Sequence, residues 1–161
     1  MGTAVRTVVS RLVFRPAGRT RASDEPVCQE RAFEGIVKLI DVYPGDASPS
    51  ESCDVPMGGF QMHVAGEIMR GKFRNSLENP EPMVPGEVAR IDIDLKDKFH
   101  TFLAGHRIMV HVQSSWFPAY DRNPQTFVDI YHAEPEDYQV ATQTIHRSVE
   151  SPSHLVLGVM R

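Results

Sequence analysis

Short runs in which apolar and polar residues alternate, each closed by proline or glycine, constrain this chain more than any other feature. The clearest runs from Glu87 to Leu95: Ala89, Ile91, Ile93 and Leu95 share one face, with Val88, Arg90, Asp92 and Asp94 on the other. Successive side chains of a strand point to opposite faces, so this run predicts a half-buried strand with one wet face. Arg107 to Ser114 repeats the design, with Ile108, Val110 and Val112 inward. Ile36 to Tyr43 is rich in β-branched residues and stops at the turn Pro44-Gly45-Asp46. Phe127–Tyr131, Ala141–Arg147 and Leu155–Met160 complete the predicted strands, and Pro135 to Tyr138 opens a short helical turn. No helical period lasts three turns and no internal repeat appears. The expected fold is therefore all-β, a β-sandwich of the jelly-roll kind.

Gly59 to Asn75 is ambiguous by spacing alone. Met62, Ala65, Met69 and Phe73 fall near helical intervals, but Gly58, Gly59, Gly66 and Gly71 crowd the same stretch. Each glycine inside a helix costs about 1 kcal/mol relative to alanine, whereas a bent or bulged strand accommodates them. The segment is read as a strand. Ala47–Pro56 and Asn79–Gly86 are loops by their proline, serine and aspartate content.

Net charge is −4 over 161 residues, and charge is unevenly placed: the first 23 residues hold five arginines and no acid. The balance gives no basic field for nucleic acid or an anionic membrane. No apolar run approaches the ~20 residues of a membrane helix, and the start lacks the apolar stretch of a secretory signal. Cytoplasm is the default compartment. The Arg-rich start shares its composition with a mitochondrial transit peptide, but an unstructured or wrongly assigned start is the simpler reading. Cys28 and Cys53 are too few for a disulfide framework and are read as free thiols.

Catalytic signatures are lacking. A serine nucleophile of the α/β-hydrolase kind sits on a strained Gly-x-Ser-x-Gly turn, and none of the eleven glycines brackets a serine that way. Ser114-Ser115 leads to Trp116-Phe117-Pro118 and not to a helix. His100, His106 and His111 fall close together, yet His106 and His111 are five apart, which in a continuous strand sends them to opposite faces. They are read, with His63, His132, His146 and His154, as turn and surface residues. Asp41, Asp121 and Asp129 carry no spacing that marks a site. Neither metal nor cofactor is expected.

One segment stands apart: Gln113 to Thr126 places Trp116, Phe117 and Tyr120 in a loop closed by Asn123-Pro124, and Trp116 is the only tryptophan. Such a loop either plugs the end of the sandwich or docks on another surface. Trp116, Phe117, Tyr120 and Arg122 are the candidate interface residues.

Several stretches resemble one family. They are Val37-Lys38-Leu39-Ile40-Asp41-Val42-Tyr43-Pro44, Met69-Arg70-Gly71-Lys72-Phe73-Arg74-Asn75-Ser76, His100 to Val110, Ser114-Ser115-Trp116-Phe117-Pro118 with Asp121 to Thr126, and Pro152-Ser153-His154-Leu155. In order and content they are similar to the C-terminal domain of X-Pro dipeptidyl-peptidase-like, CocE/NonD family hydrolases, nearest the α-amino-acid ester hydrolase and glutaryl-cephalosporin acylase branch. The resemblance implies a galactose-binding-like jelly roll that follows an α/β-hydrolase domain with a Ser-Asp-His triad and a helical cap. The family's triad lies upstream of the matching region, so this chain alone is expected to be inactive. Its implied partners are the hydrolase and cap domains, whose substrate site it helps enclose, and other copies in an oligomer.

The resemblance runs from about Ile36 to Arg161. Residues 1–35 do not match the strands that precede this region in the family, which implies a sandwich incomplete at its N-terminal side. Divergence and fusion of unrelated sequence to a truncated gene both account for this, and fusion is the reading adopted. Residues 1–35 are accordingly expected to be an unstructured segment, and 36–161 the domain. The alternative function is a free-standing β-sandwich module that binds carbohydrate, for which Trp116, Tyr120, Asp121 and Asn123 offer the aromatic and polar groups.

Overall fold

The computed structural model describes residues 3–7, 34–52, 54–84 and 87–159. Among these residues the chain forms strands β1 (Thr3–Thr7), β2 (Glu34–Val42), β3 (Gln61–Arg70), β4 (Lys98–Phe102), β5 (Arg107–Gln113) and β6 (Gly158–Val159). Their helices are short 3-10 turns at Gly71–Phe73, Ile130–His132 and Pro135–Asp137. The strands make two antiparallel sheets, ordered β4-β1-β6 and β3-β2-β5. This is the expected all-β architecture.

Central strand β2 explains the second sheet. Every residue from Glu34 to Val42 is buried except Lys38, which is half-buried. A strand covered on both faces needs the near-continuous run of β-branched and aliphatic residues found here. Val37 and Leu39 point into the core with Ala65, Met83, Ile91, Ile93, Leu95 and Phe102. Ile36 and Ile40 are buried on the opposite face. β3 carries the predicted irregularity: its register with β2 shifts between Leu39 and Ile40, where Leu39 pairs with Ala65 but Ile40 with His63. The extra residue, Val64, is a β-bulge.

Other expectations meet correction. Glu87–Leu95 keeps its alternation, with Ile91, Ile93 and Leu95 buried, but belongs to no ladder among the described residues. In β5, Val110 and Val112 pack on the core, whereas Ile108 lies 48% exposed at the strand's start. Phe127–Tyr131 is not a strand. The Asp129 carboxylate accepts a hydrogen bond from the Tyr131 backbone N–H (3.1 Å) and so nucleates the 3-10 turn Ile130–His132 instead. Among the described residues Ala141–Arg147 joins no ladder beyond an isolated bridge from Arg147 to Pro152. The turn at Pro135 forms as expected, with a reciprocal capping box between Glu134 and Asp137. Of the segment expected to be unstructured, Thr3–Thr7 pairs with β4 and β6, and Glu34-Gly35 opens β2. Cys28 and Cys53 lie outside the described residues.

Candidate docking surface

The aromatic loop after β5 neither fills the sandwich end nor hangs free. It folds back over the outer face of β3-β2-β5. A turn closed by the Tyr120 N–H on the Trp116 carbonyl (3.0 Å) sets its shape. Trp116 is half-buried and lies above Gly66 of β3. A β-carbon at Gly66 would stand 3.0 Å from the indole and 2.6 Å from His63 Nε2, so the missing side chain is what lets the ring rest on the sheet. Lys38 Nζ sits 4.0 Å from the centre of the indole ring, a cation–π contact. The His63 ring meets the indole edge-on at 5.6 Å, and Tyr120 packs at 5.8 Å.

Further ties hold the limb that follows. Pro124 is fully buried and its carbonyl accepts from the Gln139 N–H (2.9 Å). Thr126 Oγ1 donates to the Asp137 carbonyl, and Lys72 Nζ donates to the Val128 carbonyl, both at 3.0 Å. The limb is thereby fastened on its inner side while apolar groups remain on its outer side. Phe117 is 60% exposed and Tyr131 80%. Arg122 spreads over the Phe117 ring at 5.1 Å. Two open grooves flank this ridge and share Asp121 and Tyr131: one of about 590 Å³ between Phe73, Leu77 and Tyr120, the other of about 470 Å³ between Phe117, Ile130 and Tyr138.

The four candidate interface residues thus divide by role. Trp116 and Tyr120 anchor the loop, and Phe117 and Arg122 face outward. Tyr131, Tyr138 and Leu77 join them on the surface, Tyr131 because its segment turns as a 3-10 helix where strand composition gives no sign of it. Beneath the loop's return, Glu34 is buried, and neither carboxylate oxygen makes a well-formed hydrogen bond among the described residues. Burial raises its pKa, with Arg70 (Nε to Oε1 3.8 Å) and the Asn123 backbone acting in the opposite sense.

A second cluster was not legible in the sequence. Asp41 of β2 is 1% exposed and holds two imidazoles: His100 Nε2 of β4 at 2.8 Å from Oδ2, and His106 Nδ1 at 2.8 Å from Oδ1. An ionised carboxylate only accepts, so each histidine donates from the nitrogen named. His106 reaches Asp41 because Leu103–His106 is a tight turn, closed by the His106 N–H on the Leu103 carbonyl, with Gly105 at φ +86°. His100 and His106 are therefore interior ligands of a carboxylate, not surface groups. The cluster joins the two sheets. His111 is exposed on β5 and takes no part. Among the described residues no three His, Cys, Asp or Glu side chains are grouped to hold a metal ion, and no helix is long and apolar enough to cross a membrane.

Comparison with known proteins gives this arrangement its context. Residues 23–156 match the X-Pro dipeptidyl-peptidase C-terminal non-catalytic domain. Over 124 residues the chain is 39% identical to the cocaine esterase of Rhodococcus sp. (strain MB1 Bresler), covering 77% of this chain and 19% of that enzyme. An aminopeptidase from a marine sediment Thaumarchaeota archaeon superposes with a TM-score of 0.80 at 38% identity, over 98% of this chain and 24% of that one. An α-amino acid ester hydrolase does so with a TM-score of 0.76 at 36% identity, over 99% and 24% respectively. The chain spans about a fifth to a quarter of the length of these relatives.

Proposed function

Because the chain belongs to the X-Pro dipeptidyl-peptidase C-terminal non-catalytic domain family, we propose that this β-sandwich acts as the docking domain of a larger serine hydrolase. That enzyme cleaves ester, amide or peptide bonds with a Ser-Asp-His triad outside this chain. The domain's task is to cover the hydrolase and cap domains and help wall the substrate site, and its free edges serve contacts between copies. One observation carries the reading: a single loop seats Trp116 on its own sheet, with Tyr120 packed on the indole, while turning Phe117 and Arg122 outward. An aromatic held rigidly from behind presents its area at little conformational cost, which is the character of an interface hot spot.

The saccharide-binding alternative needs a bare aromatic platform. Trp116 is unsuited to it, since Lys38 occupies one face of the ring and His63 and Tyr120 pack against it. Tyr120 is likewise half-buried.

The test replaces the residues matching Phe117 and Arg122 by alanine together in a full-length relative. Loss of a docking hot spot of about 1–2 kcal/mol is expected to lower kcat/KM roughly ten-fold while the domain's own melting transition stays in place. Unchanged kinetics with an unchanged melting profile would remove the docking role.

A further inference from the structure

Trp116 rests between two basic groups. Lys38 lies over its face at 4.0 Å and His63 meets it at 5.6 Å, with Gly66 as the floor beneath both rings. A proton on His63 would put a second cation on a seat that already holds one. We propose that the Lys38–Trp116–His63 stack is a pH-operated seat for the docking loop, in which protonation of His63 loosens Trp116 from Gly66 and releases the surface that presents Phe117 and Arg122. As a regulation of the docking surface, this rests on the reading above.

Groups around His63 support a response in this direction. The charges that act on it are both cations, Lys38 of β2 and Lys98 of β4. His111 of β5 stands opposite Lys38 in register and adds a third basic group to the same side of β2 when protonated. Neighbours from β3 and the loop are the Ala65 backbone, Gly66 and Trp116, none of which carries charge. Desolvation first, and then Lys38, lower the His63 pKa from its ordinary 6.5, while the Ala65 backbone opposes them. The sign follows: a seat that favours the neutral ring is fully stabilised above pH 6.5 and loses that stability as pH falls through the lowered pKa. Glu34 works the other way. Its raised pKa favours the protonated acid, so its burial becomes less costly on acidification and cannot by itself drive the loop off.

The chain's single tryptophan makes the seat directly observable. Acrylamide quenching of Trp116 emission is followed from about pH 7.5 to about pH 5, the range in which a histidine near its ordinary pKa titrates. The quenching constant is expected to rise roughly two-fold or more, as a loop population released by one proton requires, with its midpoint below 6.5. His63→Gln should hold the low value throughout, and Lys38→Met should move the midpoint upward by removing the like charge. Circular dichroism should show the sheet intact across the transition. A quenching constant that stays flat overturns the proposal, even if emission intensity changes, because an imidazolium quenches by contact without any release. Persistence of the transition in His63→Gln, or its coincidence with loss of the sheet signal, overturns it equally. Should His63→Gln fail to fold, an unmoved midpoint in Lys38→Met overturns it alone. Alanine at Phe117 and Arg122 in a full-length relative tests docking separately, so a seat that titrates beside a surface that does not dock is a distinct result.

Discussion

Replacing Asp41 by alanine is expected to cost the folded chain about 2–5 kcal/mol, because two enclosed imidazole N–H donors lose their acceptor at about 1–3 kcal/mol each. The carboxylate is almost wholly enclosed, and it satisfies His100 and His106 at once. Without it, the imidazole nitrogens of both rings lose their acceptor, and the His106 side chain is itself only 8% exposed. His106 also packs on Tyr43 at 4.4 Å and His100 on Phe102 at 4.7 Å, so neither ring can turn to water without leaving a gap. Asp41→Asn separates charge from shape. One amide oxygen can serve only one of the two donors, and the amide NH2 faces a ring nitrogen that must change tautomer to accept. A smaller loss of about 1–3 kcal/mol is expected, the penalty of one unsatisfied buried group. Urea denaturation of the full chain followed by circular dichroism measures both. Asp41→Ala within ~0.5 kcal/mol of wild type, as for an ordinary surface substitution, would show that the cluster does not join the sheets.

Trp116→Ala is expected to be the other strongly destabilising change, by about 2 kcal/mol, roughly half the loss for a fully buried aromatic because the ring is half-buried. It removes the weight that holds the loop on Gly66 and leaves Lys38 without its aromatic partner. Phe117→Ala, one position on, removes a ring that is 60% exposed and should stay within ~0.5 kcal/mol of wild type. Denaturant midpoints of the two variants in the same chain test the division of the loop into anchor and contact. Equal losses would mean that both rings belong to one packing unit.

How far the sequence could be read depended on the range of the interaction. Alternation from Glu87 to Leu95 set the buried face of that segment correctly because strand periodicity is local. The glycines of β3 excluded a helix for an equally local reason, and the capping box at Glu134 and Asp137 spans one turn. Phe127–Tyr131 has strand composition, but Asp129 competes for its own backbone, so side-chain chemistry overrode propensity. β4 escaped notice because Lys98-Phe99-His100-Thr101-Phe102 shows no buried alternation, only Phe102 reaching the core.

The candidate site divides the same way. An aromatic loop was visible in the order of its residues, whereas the seat beneath Trp116 depends on Gly66 and Lys38 arriving from two other strands. Asp41 lies 59 residues from His100 and 65 from His106, so no spacing rule links them.

Docking itself is most directly tested by solvent labelling of the aromatic ridge. Hydroxyl-radical footprinting of this chain should modify Phe117 and Tyr131 readily, given their exposure of 60% and 80%. In a full-length relative the matching side chains should be protected about ten-fold, as residues at the centre of a desolvated interface are. Equal labelling in the two proteins would contradict the account, since a ridge that stays wet in the complete enzyme is not where the domain docks.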